Sequence, residues 1–388
     1  MSEDLSKSSA ATVQRNMLTI PRLADGSPRY ARGWHMVGWS DEFPLGQAVA
    51  KDYFGQRLAF FRGEDGQVRC LDAFCPHLGA DLAAGMVIGN NLRCPFHYWS
   101  FDGGGQCVDI PYCEKIPPRA KTRSFPVKEI NDTILVWYDP EQGEPEYDIP
   151  ALTEYQPKTA EKSNGWTKGW HRFQIRIKAH PREVIENIVD KGHLLPIHGF
   201  SVDDWHPIWS GYMCGEMTWG KHTRLAADVR DDKLYVKAIS HGPAYQHTWQ
   251  VQDSKQFDTV ILTAWCPIDE NTMEYWFGVT VRANAEQFGP DTAEMVAQRY
   301  CKDAYDAFME DVFIWERKLY RPEPVLCAGD GPLAQLRRWY SQFYVDRAQV
   351  NNRAFFNNQN IWNVEDLRDN QAAVIASAQK AKATAAAA

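Results

Sequence analysis

The chain is expected to fold as an α+β protein, an N-terminal all-β domain followed by an α+β domain with an antiparallel sheet and covering helices. Three observations predict this. From Gly33 to about Asp139, short β-type runs (WHMVGW, RLAFFRG, VRCLDAF, TILVWY) alternate with Gly, Asp and Pro turns such as GEDG. Beyond about Lys158, strand-like runs (TRLAADV, KLYVKAIS, DTVILTAW, MEYWFGVTVRA) are flanked by helix-like segments. A length of 388 residues, 44% of them hydrophobic, suits two cores better than one.

The order of elements gives an arm over 1–32, the β domain over 33–140, a linker over 141–160, the second domain over 161–370 and a tail over 371–388. Asp139 to Lys158 is rich in Pro, Glu and Asp, as in an exposed connection. After it, GWHRFQIRIKAH reads as a strand and PREVIENIVDKGHLLPIH as a helix, and the turn DENT joins the last two strands. Pro290 to about Tyr320 forms a long helix, with Asp291 or Thr292 as N-cap. Met295, Val296, Tyr300, Ala304, Phe308, Val312 and Trp315 form its apolar stripe. The first fifteen or so residues and the Ala/Lys-rich end lack apolar periodicity and are expected to be mobile.

A net charge of −8 disfavours a surface built to neutralise phosphates or anionic headgroups, so neither nucleic acid nor membrane is an expected partner. No run approaches the roughly 20 apolar residues of a membrane span, and no apolar h-region follows the first charges. The expected location is the cytoplasm. Nine cysteines without a disulfide-scaffold pattern fit reduced thiols.

Two of those cysteines differ from the rest. In Cys75-Pro76-His77 and Cys94-Pro95-Phe96-His97, a thiol and an imidazole arrive together twice. Two such loops can clamp a [2Fe-2S] cluster asymmetrically, thiolates on one iron and imidazoles on the other. A zinc knuckle is the competing reading, but zinc sites favour Cys-x2-Cys pairs.

A second donor group lies downstream. Asn187, Asp190 and His193 fall three residues apart, on one face of a continuous helix, and His198 follows five residues later. That step does not suit a regular helix, so Pro196 is expected to end or distort the turn and swing His198 toward His193. Two His and one carboxylate on one face of an iron suit non-haem Fe(II) chemistry with O2. Asp190 is next in line as the carboxylate, but Asp311, beside the apolar stripe of the long helix, is preferred because a buried carboxylate is costly unless paired or metal-bound. Asn187 could hydrogen-bond near the open face of the iron or contact backbone instead. Trp205 and Trp209 could line a pocket, though core packing is the simpler role for both.

With these residues in place, CPHLGADL and CPFHYWSFD resemble the Rieske fingerprint. Respiratory Rieske proteins carry an extra Cys in each loop, where this chain has Ala80 and Phe96, so the resemblance is to the oxygenase or soluble ferredoxin branch. Asn187, Asp190, His193 and His198 match the N-x-x-D-x-x-H-x(4)-H motif of Rieske non-haem iron oxygenase α-subunits. The segments IPYCEKIPPRAKTRSFP, DVFIWERK and LRRWYSQFYVD are similar to steroid-acting members, the 3-ketosteroid 9α-hydroxylase oxygenase components and the cholesterol 7-desaturases. Pro196 and the sequence YWSFD after His97 depart from the usual patterns.

The resemblance implies a Rieske cluster on Cys75, His77, Cys94 and His97, and a mononuclear Fe(II) on His193, His198 and Asp311. It makes Asp190 a bridge between an iron-ligating His and a Rieske His of the neighbouring subunit in a head-to-tail homotrimer. It also implies an NAD(P)H-dependent reductase, directly or through a ferredoxin, O2 as co-substrate, and a hydrophobic polycyclic substrate. The alternatives are an oxygenase of smaller aromatic or N-methyl substrates, and an electron-transfer protein with a non-catalytic second domain.

Overall fold

The computed structural model describes residues 21–223, 232–254, 257–283 and 291–350, with the single positions 369 and 376. The expectations for the first fifteen residues and the Ala-rich end lie outside them. The chain forms two compact units. The first is built from residues up to Ala151 with Arg176–Pro181 and Ala264–Tyr275, and the second holds the rest.

The first unit contains β1 (Gly33–Trp39), β2 (Ala48–Tyr53), β3 (Gln56–Arg62), β4 (Val68–Asp72), β5 (Met86–Ile88) and β6 (Asn91–Arg93). They are followed by β7 (Ser100–Phe101), β8 (Cys107–Asp109), β9 (Ser124–Phe125), β10 (Val127–Ile130) and β11 (Thr133–Tyr138). Three small sheets result, ordered β1-β11-β10, β2-β3-β4-β9 and β5-β6-β7-β8. Strand β11, TILVWY, is buried at every residue, as a continuous apolar run without alternation requires. It follows a two-residue turn in which Asn131 and Asp132 both have positive φ, the conformation whose twist matches a tight hairpin.

Along the rest of the chain run β12 (His171–Ile177), α1 (Arg182–Asn187), α2 (Leu194–His198), β13 (Phe200–Ser210), β14 (Met213–His222) and β15 (Leu234–His241). Next come β16 (Tyr245–Gln252), β17 (Phe257–Pro267), β18 (Met273–Ala283), α3 (Thr292–Trp315) and α4 (Leu333–Ser341). The strands form one antiparallel sheet in the order β12-β18-β17-β16-β15-β14-β13. The α+β architecture is therefore the one read from the sequence. Among the described residues no helix is long and apolar enough to cross a membrane.

Residues paired across antiparallel strands point to the same face. One face of β13–β16 carries the apolar cluster of Ile208, Met217, Trp219, Tyr235, Ile239 and Val251. The opposite face meets α3, where the Tyr300 hydroxyl donates to Gln250 at 2.5 Å and Phe308 lies near Phe173, which stacks on Phe277 at 4.6 Å.

Several local expectations are corrected. PREVIENIVDKGHLLPIH is two short helices separated by the turn 188–193, so Asn187, Asp190 and His193 do not share one helical face. Pro196 neither ends nor distorts the turn. It is the third residue of α2, in the first turn, where its missing N–H leaves no intrahelical bond unmade. The break comes earlier, at Gly192 and the exposed Asp190. Of TRLAADV only Thr223 lies among the described residues, and the strands that flank the site, β13 and β14, come before it. Helix α3 ends at Trp315, short of Tyr320. Asp291 stands at its N-cap position without a side-chain cap bond, and Met295 is 61% exposed, so the buried stripe starts at Ala297. The connection after Asp139 is partly packed, with Asp139, Ile149, Leu152 and Gln156 buried. The Asp139 carboxylate accepts from the amides of Glu141 and Gly143, which satisfies it inside.

Candidate metal centres

Cys75 and His77 lie on the loop after β4, and Cys94 and His97 on the loop between β6 and β7. The loops are built alike. The Cys75 amide donates to the Ala80 carbonyl at 2.9 Å, and the Cys94 amide to the Trp99 carbonyl at 2.8 Å. Each loop reverses at the fourth residue after its cysteine, Gly79 with φ 76° and Tyr98 with φ 60°. Glycine adopts that conformation freely, while in tyrosine it is strained and persists only where surroundings enforce it.

Both thiols are buried, and Cys75 has Cys94 beside it. Burial pushes the Cys75 thiol up to about 11, so a thiolate there needs a cationic partner of the kind a cluster iron provides. The two imidazoles lie 4.6 Å apart, centroid to centroid, at 68°. Trp99 stacks on His77 at 4.5 Å and donates its indole N–H to the Tyr112 hydroxyl at 2.8 Å, which fixes the ring plane. His77 Nδ1 is buried with no partner among the described residues. Two thiols and two half-exposed imidazoles thus converge, one ring nitrogen left over, and this donor set fits a [2Fe-2S] cluster.

The second centre lies in the second unit. His193 is the N-cap of α2, His198 its last residue, and Gly199 closes the helix with φ 64°. The step of five that no regular helix accommodates therefore spans a helix from cap to end, leaving the rings 5.2 Å apart. Asp311, 7% exposed, comes from α3. One ligand atom from each of His193, His198 and Asp311 lies within 4.8 Å of the others. His198 Nε2 is 3.1 Å from Asp311 Oδ2, the one protein partner of that carboxylate among the described residues. His193 Nδ1 is bonded to the Asp190 carbonyl and lies 3.8 Å from the Asp190 carboxylate, which leaves Nε2 free to ligate. Two nitrogens and an almost unpartnered buried carboxylate fit a 2-His-1-carboxylate iron site.

Among the described residues no side-chain contact directs Asn187 at that triad. It accepts from the Trp315 indole at 3.4 Å, joining α1 to the helix that carries Asp311. Buried Glu183 and Glu186 hold α1 further: Lys318 pairs with Glu183 at 2.6 Å, and Arg337 grips both oxygens of Glu186 at 2.8 and 3.3 Å. Removing one partner of such a group would strand a buried charge.

The turn 188–191 is also fixed from outside, because a Cβ on Gly331 would lie 1.6 Å from the Val189 carbonyl oxygen. Gly331→Ala is therefore expected to destabilise the second unit by about 2–3 kcal/mol, through the backbone shift that overpacking forces. Urea unfolding followed beside wild type checks it; an unchanged midpoint would contradict the packing.

Of the two tryptophans named from sequence, Trp209 is buried, while Trp205 is half-buried and donates its indole N–H to Glu216. Sequence reading missed Glu216. An alternating Gly-Glu-Met-Thr-Trp run was the available signal, and it places Glu216 and Thr218 on one face.

The comparisons with known proteins agree with this geometry. The family model described as Rieske [2Fe-2S] domain matches residues 33–126, and the one described as 3-Ketosteroid 9alpha-hydroxylase C-terminal domain matches residues 136–344. A probable 3-ketosteroid-9-alpha-monooxygenase oxygenase component of Rhodococcus rhodochrous is 35% identical over 340 residues, 83% of this chain and 82% of the relative. A cholesterol 7-desaturase of Hemicentrotus pulcherrimus is 31% identical over 353 residues, 84% and 72%. A dicamba monooxygenase solved with non-heme iron and dicamba shares the fold at TM-score 0.60 and 21% identity, over 81% of this chain and 98% of that one. The chain belongs to the family of 3-ketosteroid-9-alpha-monooxygenase oxygenase components, enzymes that work with a Rieske [2Fe-2S] cluster and a mononuclear non-haem iron.

Proposed function

We propose that this chain is the oxygenase component of a multicomponent system that uses O2 and externally supplied electrons to hydroxylate, or desaturate, a polycyclic steroid. The observation that carries the reading is the convergence of His193, His198 and Asp311 inside a domain matched over 136–344 by the ketosteroid hydroxylase family. An NAD(P)H-dependent reductase, alone or with a ferredoxin, is the electron donor in this reading, and the cytoplasm is the compartment.

In this proposal Cys75, Cys94, His77 and His97 hold the cluster, and His193, His198 and Asp311 hold the iron. The cluster supplies single electrons, and the mononuclear iron supplies activation of O2. The chain's own groups orient and shield. Asp190 holds His193 through Nδ1, which sets the tautomer and raises the basicity of Nε2. Its carboxylate is half-exposed, so a second bond to a cluster histidine of a neighbouring copy in a homotrimer is open to it. Asn187 sets α1 against Trp315 and so the spacing between Asp311 and the two histidines.

A panel of sterols and ketosteroids, incubated with the reduced protein and a reductase under O2, tests the substrate class. Coupled formation of a hydroxylated or dehydrogenated steroid is expected. Turnover of small aromatic or N-methyl compounds alone would favour the second reading, which the resemblance in fold to dicamba monooxygenase and to the Pseudomonas putida CBB5 NdmA QL mutant with theobromine supports. That second structure covers 80% of this chain at TM-score 0.62 and 19% identity.

A further inference from the structure

On the face of the sheet that meets α3, two rows of residues lie side by side across β13 to β16. One is Trp205, Thr218, Val236 and Gln250; the other is Pro207, Glu216, Ala238 and Thr248. Trp205, Pro207, Glu216, Val236 and Gln250 all keep accessible surface, although strands flank them on both sides. These rows make a partly accessible trough on the sheet face, which α3 meets at the β16 edge, where Tyr300 reaches Gln250.

One end of the trough is the iron site. Strand β13 begins two residues after His198, and Thr223 donates from its amide and its hydroxyl to the Gly199 carbonyl at 2.7 and 2.8 Å. His222 stands on the same face as Glu216, six residues along β14, and lies close enough to His198 to feel it electrostatically. At about 3.4 Å per residue, Glu216 is therefore within about 20 Å of the ligand end.

We infer that Glu216 is a substrate-reading residue, a neutral carboxylic acid that donates a hydrogen bond to a carbonyl oxygen at the end of an apolar polycyclic substrate lying in this trough. The inference rests on the steroid reading above and deepens it. Trp205 occupies one carboxyl oxygen with its indole N–H, and among the described residues Glu216 has no second protein partner. The other oxygen therefore has its capacity unused. A substrate that displaces water from this partly accessible face would leave that oxygen unpaired unless it offers a partner, and a carbonyl oxygen is such a partner. Burial independently pushes the Glu216 carboxyl up to about 8, which keeps its proton at neutral pH. The other titratable groups placed on this face are Cys214 and His222 from the same strand and Tyr300 from α3, with Asp311 of α3 and His198 at the iron end. Neither β13, β15 nor β16 puts a charged side chain beside it there.

The test compares binding of androst-4-ene-3,17-dione with that of its 3-deoxo and 17-deoxo analogues to the iron-loaded protein. In wild type, loss of one of the two oxygens should weaken binding about tenfold, the value of one hydrogen bond to a buried partner. Glu216→Leu should bind the dione as weakly as wild type binds that analogue, and should not distinguish the two. Glu216→Gln keeps a donor, so it should retain the preference and serves as the folded control. Wild-type affinity for the dione should fall as pH rises through about 8, when Glu216 ionises, and Glu216→Gln should show no such fall. A preference that survives in Glu216→Leu, or no preference in a wild type that binds and turns over the dione, overturns the assignment and leaves the steroid reading standing. A wild type that binds none of the three overturns both.

Discussion

Asp311→Ala is expected to lower bound iron from about three per chain to about two while leaving the Rieske visible and paramagnetic spectra unchanged. Coupled oxidation of any substrate should fall at least about a thousandfold, as for removal of a member of a unit that acts together. The reasoning is local. Among the described residues Asp311 is the only carboxylate grouped with the two imidazole nitrogens, and without it His193 and His198 offer two neutral donors and no charge. The cluster ligands lie in the first unit and share no ligand with this site. A second outcome follows from burial. With iron removed from both proteins, Asp311→Ala should be no less stable than wild type, because among the described residues the nearly buried carboxylate has only His198 as partner. Retention of the third iron in the variant would show that Asp311 is not a ligand. Two irons in wild type, unchanged by the substitution, would instead support an electron-transfer protein without oxygenase chemistry.

How much of this was legible in the sequence depended on the range of the interaction. The cluster loops were legible because each donor pair is contiguous, and the close of each loop, Cys75 to Ala80 and Cys94 to Trp99, is local as well. His193 and His198 were legible as a pair, but the wrong device was assigned to bring them together. A periodic pattern does not show where a helix stops, and here Gly192 and the turn around Asp190 stop it, while Pro196 fits within a first turn. Asp311 could be suspected only as an acid beside an apolar stripe. Its contact with His198 spans 113 residues, which no local rule reaches.

The strands β13 and β14 were the larger omission. A bulge between Val202 and Asp204 shifts the register, and Asp203, Asp204 and Pro207 disguise the alternation. Missing those strands also hid Glu216, because the meaning of a glutamate in a strand depends on which face it occupies. The face is set by pairing with Pro207 and Ala238, and by the cover of α3.

Acidification from pH 6.5 to 4.5 should destabilise each unit separately, by an amount that buried histidines set before most carboxylates titrate. His35 in the first unit and His241 in the second are almost fully buried, and burial lowers each to about 4 from the ordinary value near 6.5. The unfolded chain therefore takes up a proton at each site below pH 6.5, while the folded chain resists until about pH 4. The stabilisation is complete above pH 6.5 and is lost as pH falls toward 4. Each site accounts for about 3 kcal/mol by then. His247, stacked edge-on 5.2 Å from His241, is lowered further by burial and by that neighbour, so it adds to the loss in the second unit. Hydrogen exchange separates the units, since β1 carries His35 and β15 carries His241. Protection in both strands should fall between pH 6.5 and 4.5 after correction for intrinsic exchange. His35→Gln removes the titrating ring and should flatten the response in β1 alone, with β15 behaving as in wild type. If β1 in that variant keeps its wild-type acid response, the proton uptake lies elsewhere.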